Sequence, residues 1–363
     1  MAPIKTILHI TPFFSPNIGG VETHLTDLIN ELDKQNYRNI VLTYSPLSTK
    51  TSYQATEKIG NNSLVHRFRW FGGNIFHRLE KLPLLNLLYI TPYLLLRSLL
   101  FRPQKIDTIH SHGINGAIIG IFLKRIFNIK KHIVSIYSTY DNVPLNSLST
   151  KILVKILNHT DMVLTQSDSS MVQLKKLAIK NVSRYYHWVD LNNFQPKKNN
   201  HQFSVLFVGR MIPAKNVLLL SIVAQRLPQI KFTFIGTGPD YAKIPQLKNI
   251  TLLGDVKYSQ LNQYYQSSSL LCVPSKYHEG WGRIIAESVA CGTPVISSNL
   301  GGTIEAADKS VAIFITPTVS NFTKAIEKLY TNKKIYDQLK DNCRPYALKH
   351  YSKKNLSYIT HHY

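Results

Sequence analysis

Acidic residues are in short supply. Only 20 Asp and Glu stand against 43 Lys and Arg, a formal charge of +23. There are 22 basic against 11 acidic residues up to Asp190 and 21 against 9 beyond it, so the excess is spread along the chain rather than gathered in a tail. Such a surface favours anionic partners: phospholipid headgroups, nucleic acid or phosphorylated substrates. The sequence also lacks aromatic-basic RNA motifs, zinc-ligand spacing and a helix-turn-helix pattern, so no nucleic-acid partner is expected. Cysteine is scarce as well. Cys272, Cys291 and Cys343 have no metal-type spacing, and two of them sit in strongly apolar surroundings, which reads as free thiols in a reducing compartment. No low-complexity tract is present. The opening MAPIKTILHITPFF has no charged leader with a long apolar run and reads directly as a strand, so no secretion signal is expected.

What is there is an α/β alternation. At 363 residues two domains are the natural expectation. Ile4–Ile10 reads as a strand and Gly20–Leu32 as an amphipathic helix. Strand patterns follow at Ile40–Tyr44, Val65–Phe68, Thr108–His110, His132–Tyr137 and Met162–Gln166. Around Tyr186–Pro196 the pattern breaks into a turn-rich linker. It then restarts with strands at Val205–Gly209, Phe232–Ile235, Ile250–Leu253, Leu270–Val273 and Val295–Ser297. Two doubly wound, mostly parallel sheets in series, facing each other across a cleft, are expected. The boundaries are residues 1–186 for the first domain, 187–198 for the linker and 199–344 for the second domain. The basic, aromatic tail 345–363 is free to pack back on the first.

The segment Leu82–Leu100, LPLLNLLYITPYLLLRSLL, is nearly long enough to span a bilayer. Pro83, Asn86, Pro92 and Arg97 argue against a spanning helix. Its basic flanks, His77, Arg78, Lys81, Arg97 and Arg102, suit a helix lying in the interface of an anionic membrane. The competing reading is a pair of core helices broken at Pro92.

Four candidate sites fall at strand ends. Gly19-Gly20-Val21-Glu22 opens the first helix, where backbone N–H groups can face a phosphate or a sugar. In VGRMIPAKN, Arg210 and Lys215 follow Gly209 on one loop and suit a diphosphate, although a solvated loop carries such charges too. Glycine turns at Gly236 and Gly238, and the Gly254-Asp255-Val256 stretch, leave room for a base and ribose, or are plain turns. The most informative stretch is SKYHEGWGRIIAESVACGTP. It sets Glu279 on a strand-to-helix loop, before Gly280 and Gly282, and Glu287 on the helix beginning at Arg283. Such a pair suits binding of ribose hydroxyls by Glu287 and of sugar hydroxyls or developing positive charge by Glu279, the alternative being two surface carboxylates. His110 and His112 alternate on a strand end, and read as a packing histidine plus a cleft-lining one, or as a metal pair.

Taken together, HEGWGRIIAESVACGTPVI, GRMIPAKN, GGVETHLTDL, IHSHG and WVDLNNFQP resemble, in order and over nearly the whole chain, the signatures of the retaining glycosyltransferases of family 4. That resemblance implies a GT-B fold and transfer of a hexose-type sugar from a UDP- or GDP-linked donor to a hydroxyl of a lipid-linked or polysaccharide acceptor. It assigns Arg210 and Lys215 to the diphosphate and Glu287 to the ribose. Glu279, with backbone near Gly282 and Arg283, is assigned to the transferred sugar, His112 to the reaction centre and Gly20 to the donor phosphate. Gly209, Gly236 and Val256 belong with the nucleotide. No metal or other cofactor is implied, and an enzyme of cell-surface glycan assembly would work in the cytoplasm, peripherally on the inner face of the membrane. Trp188, Asn216, Trp281 and Arg283 depart from the family pattern. Two alternatives keep the fold: a sugar-nucleotide epimerase or phosphorylase, and an inactive transferase-like subunit.

Overall fold

The computed structural model describes residues 4–47, 51–79, 82–101, 105–138, 144, 147–197 and 202–363. Lys81, Arg102 and most of the loop after Tyr137 lie outside them. The chain divides into two units: Met1–Gln166 with Ser170–Tyr185 and Leu356–Tyr363, and Ser167–Ser169 with Tyr186–Asn355.

In the first unit the strands are β1 (Thr6–Ile10), β2 (Arg38–Tyr44), β3 (Thr56–Ile59), β4 (Ser63–Phe68), β5 (Thr108–His112), β6 (Lys131–Ile136), β7 (Met162–Thr165) and β8 (Val182–Arg184). They form one sheet in the order β3-β4-β2-β1-β5-β6-β7-β8, parallel except for the β3–β4 pair. Covered by helices on its faces, the sheet needs strands apolar on both sides, and all five residues of β1 are buried. The strand order reverses between β1 and β5, where Ile10 pairs with Ser111. In an open parallel sheet the crevice at such a reversal is where ligands bind. Gly19-Gly20 follow β1 there, and His112 ends β5.

The second unit carries β9 (Ser204–Val208), β10 (Lys231–Ile235), β11 (Ile250–Leu252), β12 (Leu270–Val273), β13 (Val295–Ser298) and β14 (Ala312–Ile315). All pairs are parallel, in the order β11-β10-β9-β12-β13-β14, and the reversal lies between β9 and β12. The loops carrying Lys215 and Glu279 are the two that leave this point.

Two expectations change. Pro345 does not begin a returning tail. It lies inside the helix Lys333–His350, whose Leu339, Cys343 and Ala347 are buried in the second unit, and the change of unit comes at Leu356. Nor does Pro92 break its helix, which runs unbroken from Pro83 to Phe101. Proline removes the N–H that would meet the Leu88 carbonyl. Both residues lie on the exposed side of the helix, away from the buried Ile90, Leu94 and Ser98. Leu84, Leu88, Leu96 and Leu100 stand 48% or more exposed at multiples of four residues, in line with Pro92, while Ile90, Leu94 and Ser98 face the core. The window Leu84–Phe101 is long and apolar enough to cross a membrane, yet only 22% of it is buried. A core helix pair does not describe it.

Candidate active site

The second unit brings four loops to one sheet edge. After β9, Gly209 has φ 154°, a left-handed value that favours glycine. At Gly236, after β10, a Cβ would come within 2.0 Å of the Gly209 carbonyl oxygen, so these two loops touch backbone to backbone. Met211 N–H donates to the Thr237 carbonyl at 2.7 Å and Lys276 N–H to the Ala214 carbonyl at 2.8 Å, tying in the loop after β12. The fourth loop enters through Gly302, whose N–H donates to the Glu279 carbonyl at 2.7 Å and where a Cβ would meet the Gly280 oxygen at 2.1 Å.

On this backbone Lys215 and Glu279 form an ion pair, Nζ to Oε2 2.7 Å, with the side chains only 16% and 11% exposed. Ser275 donates to the other oxygen of Glu279, and Tyr277 lies under the ammonium at 5.3 Å. Burial is the largest influence on Lys215 and opposes its charge, but Glu279 and Tyr277 outweigh it and hold the pKa above the ordinary lysine value. Arg210 is exposed and, among the described residues, makes no ion pair. A held cation and a free one therefore lie on the same loop.

Glu287 sits one helical turn inside Arg283–Ala290 and is 1% exposed. Its Oε1 accepts from Arg283 Nε at 2.9 Å and from the Tyr258 hydroxyl at 3.0 Å, and its Oε2 from the Tyr265 hydroxyl at 2.9 Å. Burial dominates and raises its pKa above the ordinary glutamate value, against Arg283 and the two tyrosines. Arg283 thus reaches back to Glu287 and to the Tyr258 hydroxyl, at 2.8 Å. Val256 packs against the core under this loop, and Gly282 caps the helix, a Cβ there meeting Ile285 at 2.7 Å.

The departures from the family pattern have physical reasons. Asn216 has φ 57°, which asparagine tolerates, and its Nδ2 donates to the Pro274 carbonyl at 3.1 Å, a bond glycine could not make. Trp188 is buried in the second unit, and Trp281 stacks on His187 with centroids 4.2 Å apart.

In the first unit Gly20 opens the helix Gly20–Lys34, and a Cβ there would meet nothing, so packing within the unit does not account for glycine at this position. His112 is 3% exposed, and both its nitrogens are engaged: Nε2 with His9 Nδ1 at 3.2 Å, Nδ1 with the Tyr137 hydroxyl at 2.8 Å. Burial keeps its pKa well below the ordinary value, with His110, His9 and His24 adding to the effect. The nitrogens of His9, His110 and His112 lie within 4.8 Å of one another, close enough to suggest a cation. Each imidazole is already satisfied by neighbours, His110 by the Tyr363 and Ser135 hydroxyls at 2.7 and 2.8 Å, so the arrangement stands without one.

Sequence reasoning did not find Ser275, Tyr258, Tyr265, His9 or Tyr137. A signal did exist for Gly301-Gly302, a glycine pair two residues beyond the strand Val295–Ser298.

A chain with these loops at two sheet reversals can be compared with known proteins. Residues 18–193 match the family model described as Glycosyltransferase Family 4, and residues 189–347 that of Glycosyl transferases group 1. The chain belongs to the family 4 glycosyltransferases. One relative is an uncharacterized glycosyltransferase of Methanocaldococcus jannaschii, 27% identical over 80% of this chain and 78% of the relative. Another is the phosphatidylinositol N-acetylglucosaminyltransferase gpi3 subunit of Schizosaccharomyces pombe, 22% identical over 89% of this chain and 72% of the relative. Among solved structures, sucrose-phosphate synthase from Thermosynechococcus elongatus superposes with a TM-score of 0.80 at 17% identity, covering 98% and 97% of the two chains. Anabaena HepE in complex with UDP and glucose does so with 0.76 at 16%, covering 98% of both. These neighbours are GT-B glycosyltransferases, and two parallel-sheet α/β units make this fold a GT-B one.

Proposed function

We propose that this glycosyltransferase moves a hexose-type sugar, with retention and without a metal, from a UDP- or GDP-linked donor to a hydroxyl of a lipid-linked or polysaccharide acceptor. The observation that carries this reading is the half-buried Lys215–Glu279 pair at the β9–β12 reversal, beside exposed Arg210. A diphosphate is the anion that two cations on one loop suit, Arg210 by a bidentate contact and Lys215 as a point charge. The neighbour structures that hold UDP and UDP-glucose make a nucleotide sugar the donor of choice. Glu279, released from Lys215 by the diphosphate, is left facing the sugar hydroxyls. Glu287, anchored by three donors, offers its remaining lone pair to the ribose. The bond from C1 of the sugar to the diphosphate breaks, and a bond from C1 to the acceptor oxygen forms on the same face. The acceptor proton passes to the departing diphosphate, so Lys215 and Arg210 stabilise charge that grows as the reaction proceeds.

The exposed leucine stripe of Pro83–Phe101 supports the lipid-linked acceptor and the membrane location. Exposed Phe122 and Ile126 on the packed neighbouring helix Gly113–Ile126 extend its apolar surface, with Arg78, Arg97 and Arg125 exposed near by. Aliphatic side chains fringed by cations suit the interface of an anionic bilayer at the cytoplasmic face.

Two experiments test this. Thermal unfolding is followed with UDP, GDP and ADP, for the wild type and Lys215→Ala. One nucleotide at a hundred times its Kd stabilises the wild type by about 2.7 kcal/mol, and the variant loses most of that gain. No stabilisation by any nucleotide contradicts the donor site. Flotation with phosphatidylglycerol vesicles carries the wild type to the top of the gradient, whereas Leu88→Glu stays at the bottom. Equal flotation of both removes the membrane role from this stripe.

A further inference from the structure

A hydrogen-bond chain runs through the first unit, and its direction follows from one carboxylate. Asp33, which accepts N–H bonds from Asn61 and Asn62 at 3.0 and 2.8 Å, is an acceptor only. Ser63 therefore donates its hydroxyl hydrogen to Asp33, at 2.7 Å. Its oxygen then accepts from Asn39 Nδ2, at 2.9 Å, and the same amide nitrogen donates to the Tyr37 carbonyl at 3.2 Å. The Asn39 oxygen is thereby turned toward His9 Nε2, 3.2 Å away, which must carry hydrogen. His9 is 1% exposed, and burial depresses its pKa to about 4, with the Asn39 bond opposing the shift only in part. Being neutral, it has a bare Nδ1, which accepts from His112 Nε2–H at 3.2 Å. Neutral His112 has a bare Nδ1 in turn, which accepts from the Tyr137 hydroxyl at 2.8 Å.

Beside this chain, His110 meets the Ser135 hydroxyl through Nε2 at 2.8 Å and the Tyr363 hydroxyl through Nδ1 at 2.7 Å. The hydrogen of Tyr137 is thus committed to His112, and its oxygen can only accept. The tyrosine follows β6 at the C-terminal edge of the sheet, where the Glu22 carboxylate of the first helix turn also acts on its hydroxyl.

We propose that Tyr137 is the residue through which the first unit holds the acceptor. Its oxygen, unable to donate outward, accepts a hydrogen bond from the acceptor hydroxyl, and Asn39 and His9 are positioning residues that keep it so through His112. The proposal rests on the transfer reading above. It also reassigns the contact expected of His112, whose nitrogens are both occupied.

The chain and the role are tested separately. In protein labelled with 15N-histidine, His9 and His112 are both expected as neutral Nε2–H tautomers at pH 7. An Nδ1–H tautomer or an imidazolium at either residue overturns the chain. His9→Leu removes the acceptor for His112 and frees its tautomer. His9→Asn, whose Oδ1 takes the place of Nδ1, restores it. For the role, hydrolysis of UDP-glucose and GDP-glucose is followed, with water standing in for the acceptor hydroxyl. Tyr137→Phe and His9→Leu lower kcat about tenfold, the worth of one hydrogen bond. KM for the sugar nucleotide stays unchanged, and His9→Asn recovers most of the rate. An unchanged kcat in Tyr137→Phe overturns the assignment. A wild type that hydrolyses neither donor sinks the transfer reading and the role of Tyr137 with it, while the tautomers still decide the chain.

Discussion

Glu279→Gln separates two contributions of one side chain, and they have opposite signs. The glutamine has the shape of the original and keeps an oxygen for the Ser275 hydroxyl, but it loses the charge facing Lys215 Nζ at 2.7 Å. A charge-assisted bond between groups this little exposed contributes about 1.5–3 kcal/mol. The empty enzyme should therefore lose roughly 2 kcal/mol, a fall in Tm of about 4–8 °C for a unit of this size. UDP should respond the other way. In the wild type the diphosphate must draw Lys215 away from Glu279, and that separation opposes binding. With glutamine in place the ammonium already lacks an anion, and returning about 1.4 kcal/mol tightens the Kd roughly tenfold. Titration calorimetry with UDP, or GDP if that is the base bound, measures the affinity, and urea unfolding measures the stability. The combination of lower intrinsic stability and tighter nucleotide binding is diagnostic. A variant that loses stability and binds the nucleotide more weakly, or no better, would show that Lys215 does not meet the diphosphate.

Asn216 tests the loop itself. Asn216→Ala places a Cβ-bearing, non-hydrogen-bonding residue at φ 57° and removes the bond to Pro274, for a loss of about 2 kcal/mol; Asn216→Gly keeps the conformation and loses about half as much, both read from urea midpoints. The buried histidines make the first unit sensitive to acid. His9 has its folded pKa lowered from 6.5 to about 4, so its stabilising contribution is complete above pH 6.5, declines as pH falls, and is gone below about pH 4. That interval corresponds to roughly 3 kcal/mol, and His9→Asn should flatten the stability profile between pH 6.5 and 4. A profile as steep as that of the wild type would mean that His9 is protonated in the native protein.

Where one physical signal dominated, the sequence was easy to read. Leu270–Val273 and the helix Arg283–Ala290 have the bounds expected of them, because a fully apolar run and a Gly–helix–Gly frame leave little freedom. The edge strand Thr56–Ile59 escaped notice because half of its residues are exposed and polar, and only its pairing with β4 defines it. Val182–Arg184 is three residues long and carries no periodicity. At Pro92 local propensity was overruled, since the helix gives up one hydrogen bond on its exposed side while Ile90, Leu94 and Ser98 stay packed on the buried one. The candidate site divides in the same way. Lys215, Glu279 and Glu287 were legible from chemistry and spacing. That Lys215 is bound to Glu279, and Glu287 to two tyrosines from residues 258 and 265, depends on the order in which strands enter the sheet, and no local pattern carries that.

The contrast between the two cations also bears on mechanism. Arg210, exposed and without an ion pair among the described residues, can attract a diphosphate from solution at no cost to the resting enzyme. Lys215 cannot, because its charge is already matched. On the proposed reading, a cation held by a carboxylate contributes less to binding of the intact donor than to binding of free UDP, which carries the extra charge of the departed group, since each gain at the diphosphate is set against a loss at Glu279. In the proposed transfer its contribution grows as the bond to the sugar breaks and negative charge accumulates on the departing oxygens, which Glu279, with a fixed charge, cannot match. Interactions that strengthen along the reaction are those that accelerate it. On the proposed reading, the Lys215–Glu279 pair does more than keep a little-exposed lysine charged: it weakens binding of the intact donor and leaves the stabilisation to be realised at the transition state.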